Sequence, residues 1–179
     1  MAEKVRFVRS PIGVYKVTAD CNGIVSVELV AEDESVLDQI PSATECGKNE
    51  GNDAEVHMNN AAKWLEAYFK DPSKVAQIKR PKINTERYAK NQFRRKVWKV
   101  LTEKIGPGST ISYGELAKLA GNHKAARAVG MAMKTNPVSI IVPCHRVITS
   151  RGQLGNYSSL NGSKTKRWLL EHEKMPVAN

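Results

Sequence analysis

Three short stretches near the start of the chain alternate apolar with polar residues, the pattern of half-buried strands. Val5 and Phe7 stand between charged neighbours, Val14 and Tyr15-Lys16-Val17 follow a turn at Ser10-Pro11-Ile12-Gly13, and Val25, Val27 and Leu29 follow the turn signal Asn22-Gly23. They predict a small antiparallel sheet. Residues 31–55 are acidic and rich in Ser, Asn, Gly and Glu, with almost no periodic apolar positions, and read as a long mobile loop. From Val56 to Lys70 the apolar residues Met58, Ala61, Ala62, Leu65, Tyr68 and Phe69 recur at helical spacing until Asp71-Pro72 stops them. A first domain thus spans residues 1–75, and residues 76–90, with Pro81, have linker character.

The second half reads as mostly helical. A helix over 91–105 places Phe93, Val97, Val100, Leu101 and Ile105 on one side and ends at Gly106-Pro107-Gly108. Ser112 and Glu115 have the spacing of a capping box and open a short helix, Tyr113 to Leu119. Gly121-Asn122 makes a turn, and Lys124 to Met133 forms another short helix before Asn136-Pro137. Two short helices joined by a tight turn have helix-turn-helix dimensions, although such a hairpin also serves plain core packing. Ile140, Ile141 and Val142 read as a short buried strand ending at Pro143, and a last helix over 164–174 places Trp168, Leu169 and Leu170 on its buried side. The fold class is therefore α+β, a sheet-plus-helix domain followed by a mostly helical one.

Composition narrows the chemistry. No apolar run approaches a membrane span, and the start Met-Ala-Glu-Lys-Val-Arg lacks the apolar core of a secretion signal, so an intracellular soluble protein is expected. Three separated cysteines, Cys21, Cys46 and Cys144, support neither a disulfide framework nor a four-ligand zinc site. The net charge of +10 is unevenly spread: residues 1–75 hold 8 Lys and Arg against 13 Asp and Glu, whereas residues 76–179 hold 20 against 5. A basic half of this kind suits a polyanionic partner, most commonly nucleic acid. The second helix of the hairpin carries Ala125, Ala126, Ala128, Gly130 and Ala132, a smooth face suited to close approach to a groove, with Arg127 as its one long side chain.

The candidate nucleophile is Cys144. A cysteine is often only a small buried hydrophobe. Here a histidine and an arginine follow it, and a proline fixes its approach. Imidazole takes a thiol proton directly or through one water, and nearby positive charge favours the thiolate. Adjacent residues on a strand point to opposite faces, so Cys144 and His145 cooperate only if the backbone turns between them.

Pro143-Cys144-His145-Arg146-Val147, together with Asn136-Pro137, Ser112-Tyr113-Gly114-Glu115-Leu116-Ala117 and Lys124 through Gly130, resembles the O6-alkylguanine-DNA alkyltransferases over roughly residues 91–175. The resemblance implies a winged-helix-like helix-turn-helix, a monomer that binds the minor groove of double-stranded DNA, and no cofactor. It implies irreversible, single-turnover transfer of an alkyl group from O6-alkylguanine, and from O4-alkylthymine, to Cys144. His145 then relays the thiol proton through a water and Glu173 orients the imidazole. Tyr113, Met133, Val147, Tyr157 and Ser158 face the extruded base. Arg127 fills the gap in the stack, Arg94, Tyr113, Gly114, Asn122 and Ser150 contact the DNA, and Asn136 ties the hairpin to the active-site strand. The location implied is the nucleus of a cell that has one, and otherwise the cytoplasm. This chain carries Ser139 where some members have proline, Ser159 to Ser163 in place of paired glycines, and no histidine near Cys21 to complete the zinc site that some relatives hold.

Overall fold

The computed structural model describes residues 3–31, 53–88 and 91–175, which form two compact units divided between Arg87 and Tyr88. In the first unit β1 (Lys4–Ser10), β2 (Gly13–Asp20) and β3 (Gly23–Val30) form the expected antiparallel sheet in the order β1-β2-β3. A register shift at Thr18/Ala19 marks a bulge in the β2–β3 pair. Helix α1 (Asp53–Lys70) packs on the sheet and buries Met58, Ala61, Ala62, Trp64, Leu65 and Tyr68. It begins three residues before the apolar periodicity does, with Asp53 and Glu55 in its first turn, where carboxylates oppose the helix dipole. The rest of the acidic stretch expected to be a mobile loop, residues 32–52, lies outside the described residues.

The stretch expected to be a linker, residues 76–90, is hydrogen-bonded to this unit over 82–84. The Ile24 N–H donates to the Lys82 carbonyl at 2.8 Å, and the Asn84 N–H donates to the Ile24 carbonyl at 2.9 Å. Gly23 permits this approach, because a Cβ there would meet the Lys82 oxygen at 2.6 Å, and its φ of 142° is one that side chains disfavour. The Asn84 amide donates to both oxygens of buried Asp20, at 3.0 and 2.8 Å, while the Asn22 N–H donates to the same carboxylate at 2.9 Å. A buried carboxylate without donors is costly, so this contact locks the segment in place.

The second unit comprises α2 (Gln92–Lys104), β4 (Ile111–Ser112), α3 (Tyr113–Leu119), α4 (Ala126–Lys134), β5 (Val147–Ile148) and α5 (Ser163–His172). Asn91 caps α2 by accepting from the Arg94 N–H at 2.9 Å, and the capping box of α3 is formed in both directions by Ser112 and Glu115. Val97, Trp98 and Leu101 are the buried face of α2, and the Trp98 indole donates to the Ala132 carbonyl at 2.9 Å, joining α2 to α4. Strands β4 and β5 pair in parallel, Ile111 with Val147 and Ser112 with Ile148. A pair only two residues long on each side carries too little alternation to be recognised in sequence. No helix among the described residues is long and apolar enough to cross a membrane.

Two local expectations are corrected. Residues 139–142 are not a strand but a tight turn, with Ile140 in the left-handed region at φ 67° and the Val142 N–H bonded back to the Val138 carbonyl at 3.0 Å. The three branched residues are buried because the turn is packed inside the unit, not because they lie in a sheet. On α5 the buried positions are Thr165, Lys166, Leu169 and Leu170, whereas Trp168 is half-buried and stacks on His172 at 4.8 Å.

Asn84→Ala removes the paired donors of Asp20 and is expected to lower the stability of the first unit by about 1–3 kcal/mol. Urea unfolding of the full chain, followed by hydrogen exchange of the β1–β3 amides, checks this; an unchanged midpoint would show that the Asp20 contact does not hold the segment.

Candidate active site

Cys144, His145 and Arg146 form a single 3-10 turn that follows Pro143 and leads into β5. Successive side chains on such a turn point about 120° apart, so adjacent residues serve different surroundings. This meets the requirement that the backbone turn between Cys144 and His145. The Asn136 amide clamps the approach: its Oδ1 accepts from the Val138 N–H at 3.1 Å, and its Nδ2 donates to the Val142 carbonyl at 2.8 Å and to Cys144 Sγ at 3.1 Å. Holding a branched residue such as Ile140 at positive φ costs on the order of 1–3 kcal/mol, and the Asn136 bonds oppose its relaxation.

His145 and Arg146 both converge on Glu173, the C-cap of α5. His145 Nε2 lies 2.8 Å from Glu173 Oε1, and Arg146 donates from Nε to Oε2 at 2.9 Å and from Nη2 to Oε1 at 2.8 Å. The remaining guanidinium nitrogen donates to the Ile105 carbonyl at 2.6 Å, beyond the end of α2. All three side chains are buried. Arg146 is therefore committed to a carboxylate and a carbonyl. The cation whose charge favours the thiolate of Cys144 is instead Lys166, on the buried face of α5.

Cys144 lines a cavity of about 630 Å³, within the range of small-molecule sites. Tyr113 at the start of α3, Met133 near the end of α4, and Tyr157 and Ser158 from the loop before α5 line it too. Gly130, Lys134, Gly155 and Asn156 complete the wall. Gly155 has φ 66°, a region that side chains disfavour, and a Cβ there would stand 3.3 Å from the Tyr113 hydroxyl and press on it. Val147 is buried and is not part of the lining; its carbonyl accepts from Lys166 Nζ at 2.6 Å, which leaves one lone pair. Arg127, Gly114, Asn122 and Ser150 are exposed and Arg94 is half-exposed, while Ser150 lines a separate cleft of about 440 Å³ beside β4 and β5.

Burial pushes the Cys144 thiol up, and the Asn136 hydrogen bond, the Lys166 charge and the Tyr157 hydroxyl pull against it without cancelling it. Burial draws His145 below its ordinary value despite Glu173, helped by the charges of Arg146 and Lys166. Thiol and imidazole are thus both neutral near pH 7, a donor and an acceptor of one proton. Burial raises the Glu173 carboxyl, but His145 and Arg146 more than offset this and hold it well below the usual carboxylate range. Tyr113 is raised, chiefly by burial and then by the charge of the Cys144 sulfur. No group of three or more His, Cys, Asp or Glu suited to a metal ion occurs among the described residues.

Sequence reasoning missed Lys166, Lys134 and the carbonyl of Ile105. Lys166 had one available signal, its place three and four residues before Leu169 and Leu170 on the same helix face. Lys134 enters as the last residue of α4, and the Ile105 carbonyl is brought in by the chain just beyond α2.

Residues 92–175 match the family model described as 6-O-methylguanine DNA methyltransferase, DNA binding domain. The methylated-DNA–protein-cysteine methyltransferase of Cricetulus griseus is 49% identical over 115 residues, 64% of this chain and 54% of that one, so the chain spans about half the length of that relative. The Homo sapiens protein of the same name is 38% identical over 165 residues, 92% of this chain and 77% of the other. The crystal structure of Mycobacterium tuberculosis OGT in complex with DNA aligns with a TM-score of 0.66 at 33% identity, over 95% of this chain and 92% of that one. The matched segment contains the thiol, the clamp, the imidazole–carboxylate pair and the whole cavity wall, and on this ground the chain belongs to the 6-O-methylguanine DNA methyltransferase family.

Proposed function

We propose that the protein reverses DNA alkylation directly, moving the alkyl group from O6 of guanine, and from O4 of thymine, to Cys144 in one irreversible turnover without a cofactor. The observation that carries this reading is a thiol that lines a cavity with room for a purine, next in sequence to a histidine bonded to a buried carboxylate. A damaged base stacked in a duplex must be rotated out before O6 meets this sulfur. Arg127, exposed on α4 among small residues, takes the vacated place in the stack, while Ala126, Ala128 and Gly130 let the helix backbone approach the minor groove closely. Arg94, Gly114, Asn122 and Ser150 bear on the phosphate backbone, where contacts position rather than specify.

In the transfer, His145 takes the thiol proton through one water while Glu173 fixes the imidazole's orientation and stabilises its charged form. The sulfur lone pair forms the S–C bond as the C–O6 bond breaks, and that bonding pair passes to the purine. Tyr113 gives its hydroxyl proton to the leaving base at N3; the imidazolium then releases the thiol's proton to solvent and the tyrosine phenolate takes one up, so that over the whole transfer one proton leaves the thiol and one is gained by the released guanine. Met133, Tyr157 and Ser158 hold the base. The product is a thioether, from which no water in the site regenerates the thiol.

Incubation with duplex DNA labelled in the O6-methyl group is expected to leave label on the Cys144 peptide, with a limit of one label per protein; catalytic release of label to water would instead mark a hydrolase, and bound but unchanged DNA a recognition protein. Arg127→Ala is expected to slow repair of duplex DNA by about tenfold or more, because extrusion costs a few kcal/mol, and to spare attack on the free modified base. Equal losses on both substrates would contradict the stack-filling role.

Glu173 also sets an acid limit. Its carboxyl is held below its ordinary 4.5, so the stability it contributes is complete above about that pH and is lost as the pH falls further. Glu173→Gln is expected to destabilise the second unit at neutral pH by about 3–5 kcal/mol, the usual cost of breaking a buried pair, and to flatten the acid limb of the stability curve. Denaturant midpoints of both proteins from neutral pH into the acid range test this; parallel curves would refute it.

A further inference from the structure

Lysine is almost never fully buried unless its charge is paired, yet Lys166 has no exposed surface. Its ammonium donates to the Val147 carbonyl at 2.6 Å and to the Leu154 carbonyl, and no carboxylate among the described residues pairs with it. These two acceptors belong to different segments. Val147 follows directly on the turn that carries Cys144, and Leu154 precedes Gly155, Asn156, Tyr157 and Ser158, which line the cavity together with Cys144. A methionine of similar length would fill this space with no charge to desolvate, so the fold retains the charge at a cost.

We propose that Lys166 is a positioning residue of the transfer reaction: its buried ammonium ties the nucleophile's turn to the base-binding loop and places a positive charge where the Cys144 thiolate forms. This deepens the activity proposed above and rests on it. Two carbonyls from separate segments give the ammonium a fixed location, and its hold on Val147 orients the carbonyl's remaining lone pair for an incoming base. The groups acting on the sulfur are Asn136 from the segment after α4, Tyr113 from α3, Tyr157 from the loop and Lys166 from α5, with His145 next in the chain. Among them Lys166 is the one that carries a positive charge at neutral pH. The coupling is reciprocal, since burial pulls the Lys166 ammonium down to about 8 while the Cys144 sulfur pulls it up.

The test uses the full chain carrying Cys21→Ser and Cys46→Ser, so that iodoacetamide reads Cys144 alone. Lys166→Met is expected to slow transfer from O6-methylguanine duplex about tenfold, the scale of one charge-assisted hydrogen bond. The rate of Cys144 labelling at pH 7, where Lys166 is charged, is expected to fall about tenfold, and Lys166→Arg, which keeps the charge, should restore most of it. A folded Lys166→Met protein with the parent's labelling rate at pH 7 and transfer rate overturns the proposal. If Lys166→Met does not give the parent's circular dichroism and cooperative melt, Lys166→Gln is read instead, and an unchanged labelling rate there overturns it equally. The labelling needs no DNA, so a parent protein that labels normally but accepts no alkyl group from DNA would sink the transfer reaction while leaving the effect of Lys166 on the sulfur measured.

Discussion

The carboxylate of Glu173 is the interaction on which the geometry of the reactive turn depends. It is buried, it receives two bonds from Arg146 and one contact from His145, and it sits where α5 ends. Because a buried ion without partners costs several kcal/mol, the end of α5 and the 3-10 turn cannot separate without exposing or stranding a charge. Arg146 extends the tie to the carbonyl of Ile105, so the same guanidinium holds the exit of α2. Two elements distant in sequence, α2 and α5, are thereby fixed around three consecutive residues, and Cys144 inherits its position from a network in which it takes no part.

On the other side of the turn the constraint is neutral. Asn136 accepts at one end of the 138–142 turn, donates at the other, and spends its second N–H on the sulfur. Ile140 is held in a conformation that an isolated chain would avoid, and the strain falls three residues upstream of Pro143 and four upstream of Cys144. The sulfur thus lies between an ionic anchor and an amide clamp, and both hold it without neutralising it.

The electrostatic consequence is a resting site that stores little charge at the reacting atoms. Burial disfavours both thiolate and imidazolium, so the two groups rest neutral. Against that background the buried Lys166 is the exception, a charge that acts on the sulfur and is locked to carbonyls of two separate segments. Under the proposed transfer, thiol protection at rest and thiolate stabilisation in reaction are compatible because they come from different sources, desolvation in one case and a held cation in the other.

Local pattern determined much of this protein. Alternation in Val14 to Val17 and Val25 to Leu29 specified the sheet, the apolar period from Met58 to Tyr68 specified α1, and Ser112 with Glu115 specified the start of α3, since each is a property of residues within one or two turns of one another. The pentapeptide at Cys144 singled out the nucleophile for the same reason. Tertiary structure decided what no short window contains. It turned Ile140-Ile141-Val142 from an apparent strand into a strained loop, drew residues 82–84 onto β3, and redirected Arg146 from the sulfur to Glu173. It also buried Lys166 among leucines, where propensity would have left it in solvent. Hydrophobic period reports which face of an element is covered, but the direction of a charge is settled by partners that the chain supplies from dozens of residues away.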